Sequence, residues 1–154
     1  MKFHCKKVAL ILILGIFSMP LLAQTAARLE ILLQKPEITW ADAAVFVLEA
    51  SEQGVYRNPA DAFAFALERN WLPKGVESEE TARLNGIALL LMQSFDLEGG
   101  IFYSMMKSPH HAYRELVYKR IIRGDSDPHM AVSGEELVLM ISRILSIQEA
   151  EGGI

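Results

Sequence analysis

Apolar residues recur three and four positions apart in two stretches of this chain, and the two stretches match each other at a constant offset of 50 residues. The first follows Asn58-Pro59 and the second follows Ser108-Pro109. This spacing is typical of one face of an α-helix. The offset indicates tandem supersecondary units that bury their apolar faces against each other, rather than a scaffold built around one catalytic cleft. We therefore predict N-terminal helices with a partial repeat over residues 24–57, a first repeat over 58–107 and a second over 108–154.

Local start signals divide the chain into about six helices. A small polar residue followed three positions later by an acid is typical of a capping box, and proline at the first helical position loses no hydrogen bond. No segment alternates apolar and polar residues as a half-buried strand would. We therefore predict an all-α fold, a compact bundle of about six helices from tandem helix-loop-helix repeats. The helices are expected over 25–34, from Thr39 with Asp42, from Asn58-Pro59, from Ser78 with Glu79 and Glu80, from Ser108-Pro109 to about Arg123, and from Ser133 with Glu136, while Ile101 to Met106 is left unassigned.

Residues 1–23 have the pattern of a secretory signal peptide. Three lysines precede an apolar run from Val8 to Phe17, and cleavage is expected after Ala23 or, as a second choice, after Ala27. The apolar stretch is shorter than the roughly 20 residues of a spanning helix, and retention as an uncut anchor is the alternative. We expect an exported protein of the periplasm or cell surface whose mature form does not span a membrane.

The charge of the mature chain restricts its partners. Removal of residues 1–23 would leave 12 basic and 19 acidic residues, a net charge of about −7. A chain so acidic repels polyanions, so we expect no nucleic-acid partner and poor binding to anionic lipid. Cys5, the only cysteine, lies in the removed segment, which leaves neither a disulfide nor a cysteine nucleophile.

Residues 113–145 resemble the surface-layer homology (SLH) module. They contain, in the family's order, a short helix, an Ile-Ile-x-Gly-like turn, an Asp-containing loop and a capped amphipathic helix. Residues 58–97 resemble the module more distantly, and residues 39–50 resemble the helix start of a preceding copy. The resemblance implies a compact helical spindle that attaches proteins to a cell-wall polymer.

The family begins its second helix with Thr-Arg-x-Glu, and the arginine meets the anionic polymer. No corresponding segment of this chain has arginine at the second place. Without a guanidinium there is no bidentate contact to carboxylate or phosphate, so this mode of polymer binding is not expected to be kept. The corresponding segments are Thr39-Trp40-Ala41-Asp42, Arg83-Leu84-Asn85-Gly86 and Ser133-Gly134-Glu135-Glu136.

Histidines and methionines in the second repeat raise copper handling as an alternative, because imidazole and thioether groups are suitable copper ligands. The candidates are Met105, Met106, His110, His111 and His129 with Met130. Adjacent side chains on a helix point about 100° apart, so His110 and His111 are poorly placed to share an ion, and we predict no metal site. Asp125-Ser126-Asp127 lacks the glycine and closing acid of a calcium loop and is interpreted as a turn.

No catalytic motif is present. The chain contains no Gly-x-Ser-x-Gly, His-Glu-x-x-His or phosphate-binding glycine loop. Glu135 and Glu136 are neighbouring carboxylates at a helix start, where capping is a better role than acid-base catalysis. We predict no catalytic residue, no cofactor and no enzymatic activity.

These features favour a non-enzymatic envelope protein that acts as an interaction or scaffolding module, with an envelope protein or a cell-wall polymer as its partner. Equivalent loops of a repeat protein usually lie on one side, which favours loops 72–77 and 123–131 as the binding surface. A subunit of a larger complex would instead expose an apolar patch around Ile101 to Met106. The predicted binding residues are Trp71, for which core packing is the alternative, and Lys74, Arg123, Asp125 and His129.

Overall fold

The chain folds into seven α-helices in a computed structural model that describes residues 19–124 and 126–152. Within those ranges, β-structure is limited to two isolated bridges. The predicted all-α bundle is therefore confirmed, and the additional helix is the connector that the sequence left unassigned. The helices are α1 (Met19–Leu33), α2 (Trp40–Ala50), α3 (Pro59–Glu68), α4 (Leu84–Ser94), α5 (Ile101–Met105), α6 (Pro109–Tyr118) and α7 (Gly134–Gly152).

Capping hydrogen bonds fix the predicted starts of α2 and α7. The backbone N–H of Asp42 donates to Thr39 Oγ1 at 3.2 Å, and the Thr39 N–H donates back to the Asp42 carboxylate at 3.2 Å. Ser133 and Glu136 exchange the same two bonds at α7. Both capping boxes are therefore confirmed, and the predicted caps Asn58 and Ser108 also accept hydrogen bonds at the starts of α3 and α6.

Asp42 also holds α2 to the end of α1. Burial alone would raise the pKa of Asp42, but the ammonium of Lys35 lies 2.7 Å from its carboxylate and Thr39 donates to it. These contacts outweigh burial and lower the pKa of Asp42 below its usual value. The carboxylate is therefore ionised at neutral pH and links two helices as well as capping one.

The predicted start of α4 at Ser78 is wrong. The helix begins at Leu84, because the backbone of residues 78–80 caps α2 instead. The N–H groups of Trp40 and Ala41 donate to Glu80 O at 3.1 Å and Ser78 O at 2.9 Å. These carbonyls satisfy donors that a helix start leaves free, so tertiary contacts override the local start signal.

The predicted end of α6 near Arg123 is also wrong. The helix ends at Tyr118, and Arg120 adopts a left-handed conformation with φ of 58°. Such a residue ends a helix because its carbonyl no longer follows the helical path. The reversal turns Ile121 and Ile122 into the core, and the N–H of Ile121 donates to Leu116 O at 2.9 Å.

Three backbone segments meet in a closed ring of hydrogen bonds at the centre of the molecule. Ala82 N donates to Ile38 O at 2.8 Å, Val132 N donates to Ala82 O at 3.3 Å, and Ile38 N donates to Val132 O at 2.9 Å. All three residues are fully buried. Each of these residues lies two positions before the first residue of a helix: Ile38 before α2, Ala82 before α4 and Val132 before α7. The ring therefore relates three helix starts in an approximately threefold arrangement.

The remaining helices surround the three that follow the ring. α3 packs against α2, α6 packs against α4, and α1 packs against α7. The first helix thus contacts the last, which closes the bundle. The main core lies between these layers, and its fully buried large side chains include Leu32, Ile38, Trp40, Ile87, Leu90, Leu91, Leu116, Leu137 and Ile144.

Candidate contact surface

The short helix α5 has one buried side chain. Gly99 and Gly100 interrupt the chain before it, and Ser108-Pro109 starts the next helix soon after it. A helix of five residues makes little more than one turn, so it has room for few inward positions. Tyr103 occupies the buried position and accepts a hydrogen bond from the amide of Gln93 on α4. The apolar side chains on either side of Tyr103 are not buried in the bundle.

Four of these side chains are exposed to solvent. The exposed fractions are 78% for Ile101, 70% for Phe102, 77% for Met105 and 54% for Met106. The neighbouring Tyr118 at the end of α6 is 85% exposed. Single exposed apolar residues are common, but a contiguous group of large ones marks a contact surface in a soluble domain.

An open cleft of about 560 Å³ lies between α5 and α6 beside these side chains. Phe102 and Tyr118 line it, and the ring of His111 stacks against Phe102 with 6.4 Å between centroids. Glu98 and Glu115 place carboxylates in the same cleft. We call the following residues together the α5–α6 face: Ile101, Phe102, Met105, Met106, His111, Arg114, Tyr118 and Lys119.

The α5–α6 face carries charges of both signs. Arg114 and Lys119 share its cleft with Glu98 and Glu115, and Lys119 also lines a second cleft with Asp96, Glu98 and Glu151. Lys107, Arg114, Arg120 and Arg123 are exposed. The two ion pairs among the described residues, Arg28–Glu49 and Lys35–Asp42, lie elsewhere. The α5–α6 face is therefore an apolar surface with mixed charge.

The predicted binding residues do not form one cluster. Lys74, Arg123 and His129 are exposed, whereas Asp125 lies outside the described residues. Trp71 is half-buried against Phe65, with ring centroids 5.9 Å apart, so its described contacts are those of packing. Within the described ranges, no hydrogen bond, ion pair or ring contact joins Trp71 or Lys74 to Arg123 or His129.

Each of the two predicted loops contains or leads into a segment that caps a helix start. Residues 78–80, which directly follow loop 72–77, cap α2, and in loop 123–131 the carbonyls of Pro128 and Met130 accept from the first residues of α4 at 2.8 and 3.0 Å. The imidazole of His129 lies 3.4 Å from the amide of Asn85. The loops therefore occupy equivalent positions on successive helices, while their exposed side chains remain apart.

The histidines and carboxylates that the sequence singled out have local structural contacts. His111 Nδ1 lies 2.8 Å from Ser108 Oγ at the start of α6, and the Asp127 carboxylate accepts from the His129 N–H at 2.8 Å. Across 19–124 and 126–152, no group of three or more His, Cys, Asp and Glu side chains is arranged to hold a metal ion. The carboxylate of Glu136 accepts a hydrogen bond from the Ser133 N–H in the capping box of α7.

Sequence reasoning identified only part of the α5–α6 face. Residues 101–106 are a possible apolar patch in the sequence, whereas Arg114, Tyr118 and Lys119 are not among its candidates. The charge pattern gives no signal for them, because residues 95–128 contain five basic and five acidic residues.

Comparison with protein-family models, with curated proteins and with solved structures finds no match to this chain. Among the described residues, no helix has both the length and the apolar character required to cross a bilayer. Most of the predicted signal peptide, residues 1–18, lies outside the described residues, and α1 runs through both expected cleavage positions.

Proposed function

We propose that this chain is an exported, non-enzymatic protein of the cell envelope that acts as an interaction module through its α5–α6 face. The carrying observation is the exposure of four large apolar side chains on α5 and at its C-cap, together with Tyr118. Leaving them in water costs about 1.5–3 kcal/mol for each large side chain that could otherwise be buried. A partner that covers this face removes that cost, which is the physical basis of the proposal.

The rigid support of the face favours the same function. Tyr103 anchors α5 to α4, and α6 packs along α4 as well. The apolar side chains are thus presented on a fixed frame rather than on a loose loop, which reduces the entropy lost on binding. The predicted loop residues Lys74, Arg123 and His129 are exposed and are further candidates for contact within the same proposal.

In-cell cross-linking of the full chain in its own envelope would test the proposal. We expect Phe102→Ser with Met105→Ser to reduce cross-linking to envelope components by about tenfold or more, because two large anchors are lost. Val55→Ser is the matched control, since Val55 is 79% exposed but lies far along the chain from this face. A third variant, Lys74→Ala with Arg123→Ala and His129→Ala, measures the contribution of the predicted loops.

Each outcome separates the two surfaces. Loss of cross-linking in the α5 variant alone supports the α5–α6 face, and loss in the loop variant alone moves the contact to the loops. Unchanged cross-linking in both variants, with thermal unfolding also unchanged, would contradict the interaction module.

Cell-wall polymer binding is a second candidate because the ring of three backbone segments gives the helix starts an approximately threefold arrangement, in keeping with the resemblance to a helical spindle. The residues at the family's arginine position, Trp40, Leu84 and Gly134, are all buried and uncharged. Polymer binding would therefore need other cations. Pelleting of the chain with isolated sacculi is the observation that would support it.

A further inference from the structure

We propose that the α5–α6 face is covered by the same face of a second copy of this chain, so that the protein forms a symmetric dimer. This inference rests on the proposed function, because it names the partner of that face. A twofold contact brings one patch against itself, so each projection, hollow and charge of the patch needs its counterpart within the same patch. The α5–α6 face meets this requirement in its shape, its charge and its area.

The shape of the face is self-complementary, because an apolar ridge lies beside a cleft. Ile101 and Met105 are four residues apart on α5, on the side of the helix away from buried Tyr103, and they form the ridge. The neighbouring cleft has a volume of about 560 Å³, with Phe102 and Tyr118 in its wall. A twofold rotation places the ridge of each copy over the cleft of the other, so one contact covers the ridges and fills the clefts of both.

The charge around the face permits two copies to meet. Residues 95–128 contain five basic and five acidic residues, whereas the rest of residues 24–154 contains seven basic and fourteen acidic residues. The net charge of the mature chain, about −7, therefore lies outside the segment that carries the face. Two identical acidic molecules repel each other least where their surfaces are neutral, and like charges brought together at a contact weaken it. The neutral segment is thus the part of this chain best suited to contact with an identical copy.

The charges within the cleft also match a second copy. Arg114 and Lys119 share the cleft with Glu98 and Glu115. Among the described residues, none of these four forms an ion pair within the chain. In a twofold contact the two cations of one copy approach the two carboxylates of the other, and the reverse holds on the opposite side of the axis. Such pairs fix the orientation of the contact, while the apolar side chains provide most of its affinity.

The apolar area of the face is sufficient for a dimer. Ile101, Phe102, Met105, Met106 and Tyr118 are between 54% and 85% exposed. At about 200 Å² for each large side chain, the five present roughly 700 Å² to solvent. A specific interface buries about 800 Å² on each partner. These five side chains therefore supply most of the area of a standard interface before the walls of the cleft are included.

Sedimentation equilibrium of the purified full chain tests the proposal. We expect twice the mass of one chain above about 10 µM, since interfaces of standard size have micromolar or lower dissociation constants. Phe102→Ser with Met105→Ser should raise the dissociation constant by about tenfold or more, because two apolar anchors are lost. Val55→Ser is the matched control, since Val55 is 79% exposed and lies outside the face, and it should leave the dimer unchanged.

Reversal of charge in the cleft tests the twofold arrangement itself. Arg114→Glu with Lys119→Glu makes the cleft acidic, and Glu98→Lys with Glu115→Lys makes it basic. Each variant alone should dissociate about tenfold or more readily, because like charges then face each other. An equimolar mixture should regain the association, because each acidic cleft then meets a basic one. Circular dichroism of each variant shows beforehand that its helices are retained, and recovery in the mixture excludes misfolding as the cause of the loss.

The outcomes separate a second copy from other partners. The mass of a single chain at every concentration would overturn the proposal, as would a dimer that persists in the Phe102 and Met105 variant. A mixture of the charge variants that associates no better than its two components would also overturn it. A monomer that is still cross-linked through the α5–α6 face to another envelope component would leave the proposed function intact and assign a different partner. A monomer without such cross-linking would remove both proposals.

Discussion

Among the described glycines, Gly134 has the least room for a side chain. It is the first residue of α7, and the helix meets the end of α1 there, where the Gly134 N–H donates to Lys35 O at 3.0 Å. A Cβ at this position would collide with the backbone carbonyl of Leu32. Gly86 in α4 is similar but less constrained, because a Cβ there would meet the side chains of Trp40 and Pro73.

An added Cβ would meet backbone at Gly134 and side chains at Gly86, so the two substitutions should differ in the stability they cost. Gly134→Ala should lower the free energy of unfolding by about 3 kcal/mol, since backbone must move, and Gly86→Ala by about 1–2 kcal/mol, since side chains can adjust. Gly152→Ala is the helical control, with no atom within 4 Å of its added Cβ, and should change stability by less than about 0.5 kcal/mol. Urea titration followed by circular dichroism measures all three, and equal effects would contradict the packing described.

The first residues of α2, α4 and α7 are buried. They are Trp40, Leu84 and Gly134, and each lies at the junction of two chain segments. The Trp40 indole Nε1 is itself buried without a hydrogen-bond partner, which shows how apolar this junction is. An arginine there would have to bury its guanidinium, at a large cost in solvation.

At the scale of helices, start signals succeed where the capping bonds are local and fail where another segment uses the same residues. Ser133 and Glu136 bond to each other's backbone within four residues, so the sequence contains the whole interaction. Ser78 is followed by two glutamates as a helix start would be, yet its carbonyl caps α2. No property of residues 78–80 alone reveals that use.

Alanine substitution distinguishes a true cap from an apparent one. Ser133→Ala should lower the free energy of unfolding by about 1 kcal/mol, because the N–H of Glu136 loses its acceptor. Ser78→Ala should change it by less than about 0.5 kcal/mol, because only the carbonyl of Ser78 contributes to capping. Chemical denaturation measures both, and a larger loss for Ser78→Ala would mean that its hydroxyl has a role beyond these contacts.

At the scale of the molecule, the ring of Ile38, Ala82 and Val132 makes three helix starts interdependent. Each segment donates to one neighbour and accepts from the other, and α1 packs against α7 at the opposite end of the chain. In a linear array of repeats, each unit contacts only its neighbours and can unfold in steps. A closed arrangement has no free end from which to unfold.

We therefore predict one cooperative unfolding transition. In Trp71→Phe, the fluorescence of buried Trp40 should report the same urea midpoint as circular dichroism, within about 0.2 M, as two-state unfolding requires. Val132→Pro removes the N–H that donates to Ala82 O, and it should lower the midpoint in both signals together. Midpoints that separate, with helices lost before Trp40 is exposed, would show instead that the repeats unfold independently.

The amino-acid sequence by itself determined the features that depend on neighbouring residues. Periodicity gave the all-α class, and the caps at Thr39, Asn58, Ser108 and Ser133 placed four helix starts, because each depends on atoms within a few residues. It also indicated residues 101–106 as a possible apolar surface. The predicted loop residues stay a prediction, since among the described residues no hydrogen bond, ion pair or ring contact joins those of one loop to those of the other.

Tertiary structure alone decided which of these local signals are used. The start of α4, the closed ring and the burial of Gly134 each depend on hydrogen bonds or contacts between residues that are far apart in the chain. The α5–α6 face belongs to the same class. Its cations and apolar side chains come from two helices, and only the fold shows that Tyr103 turns inward while Phe102 and Tyr118 stay outside. The physical reason is that burial is a property of what surrounds a residue, and the surroundings are set by distant segments.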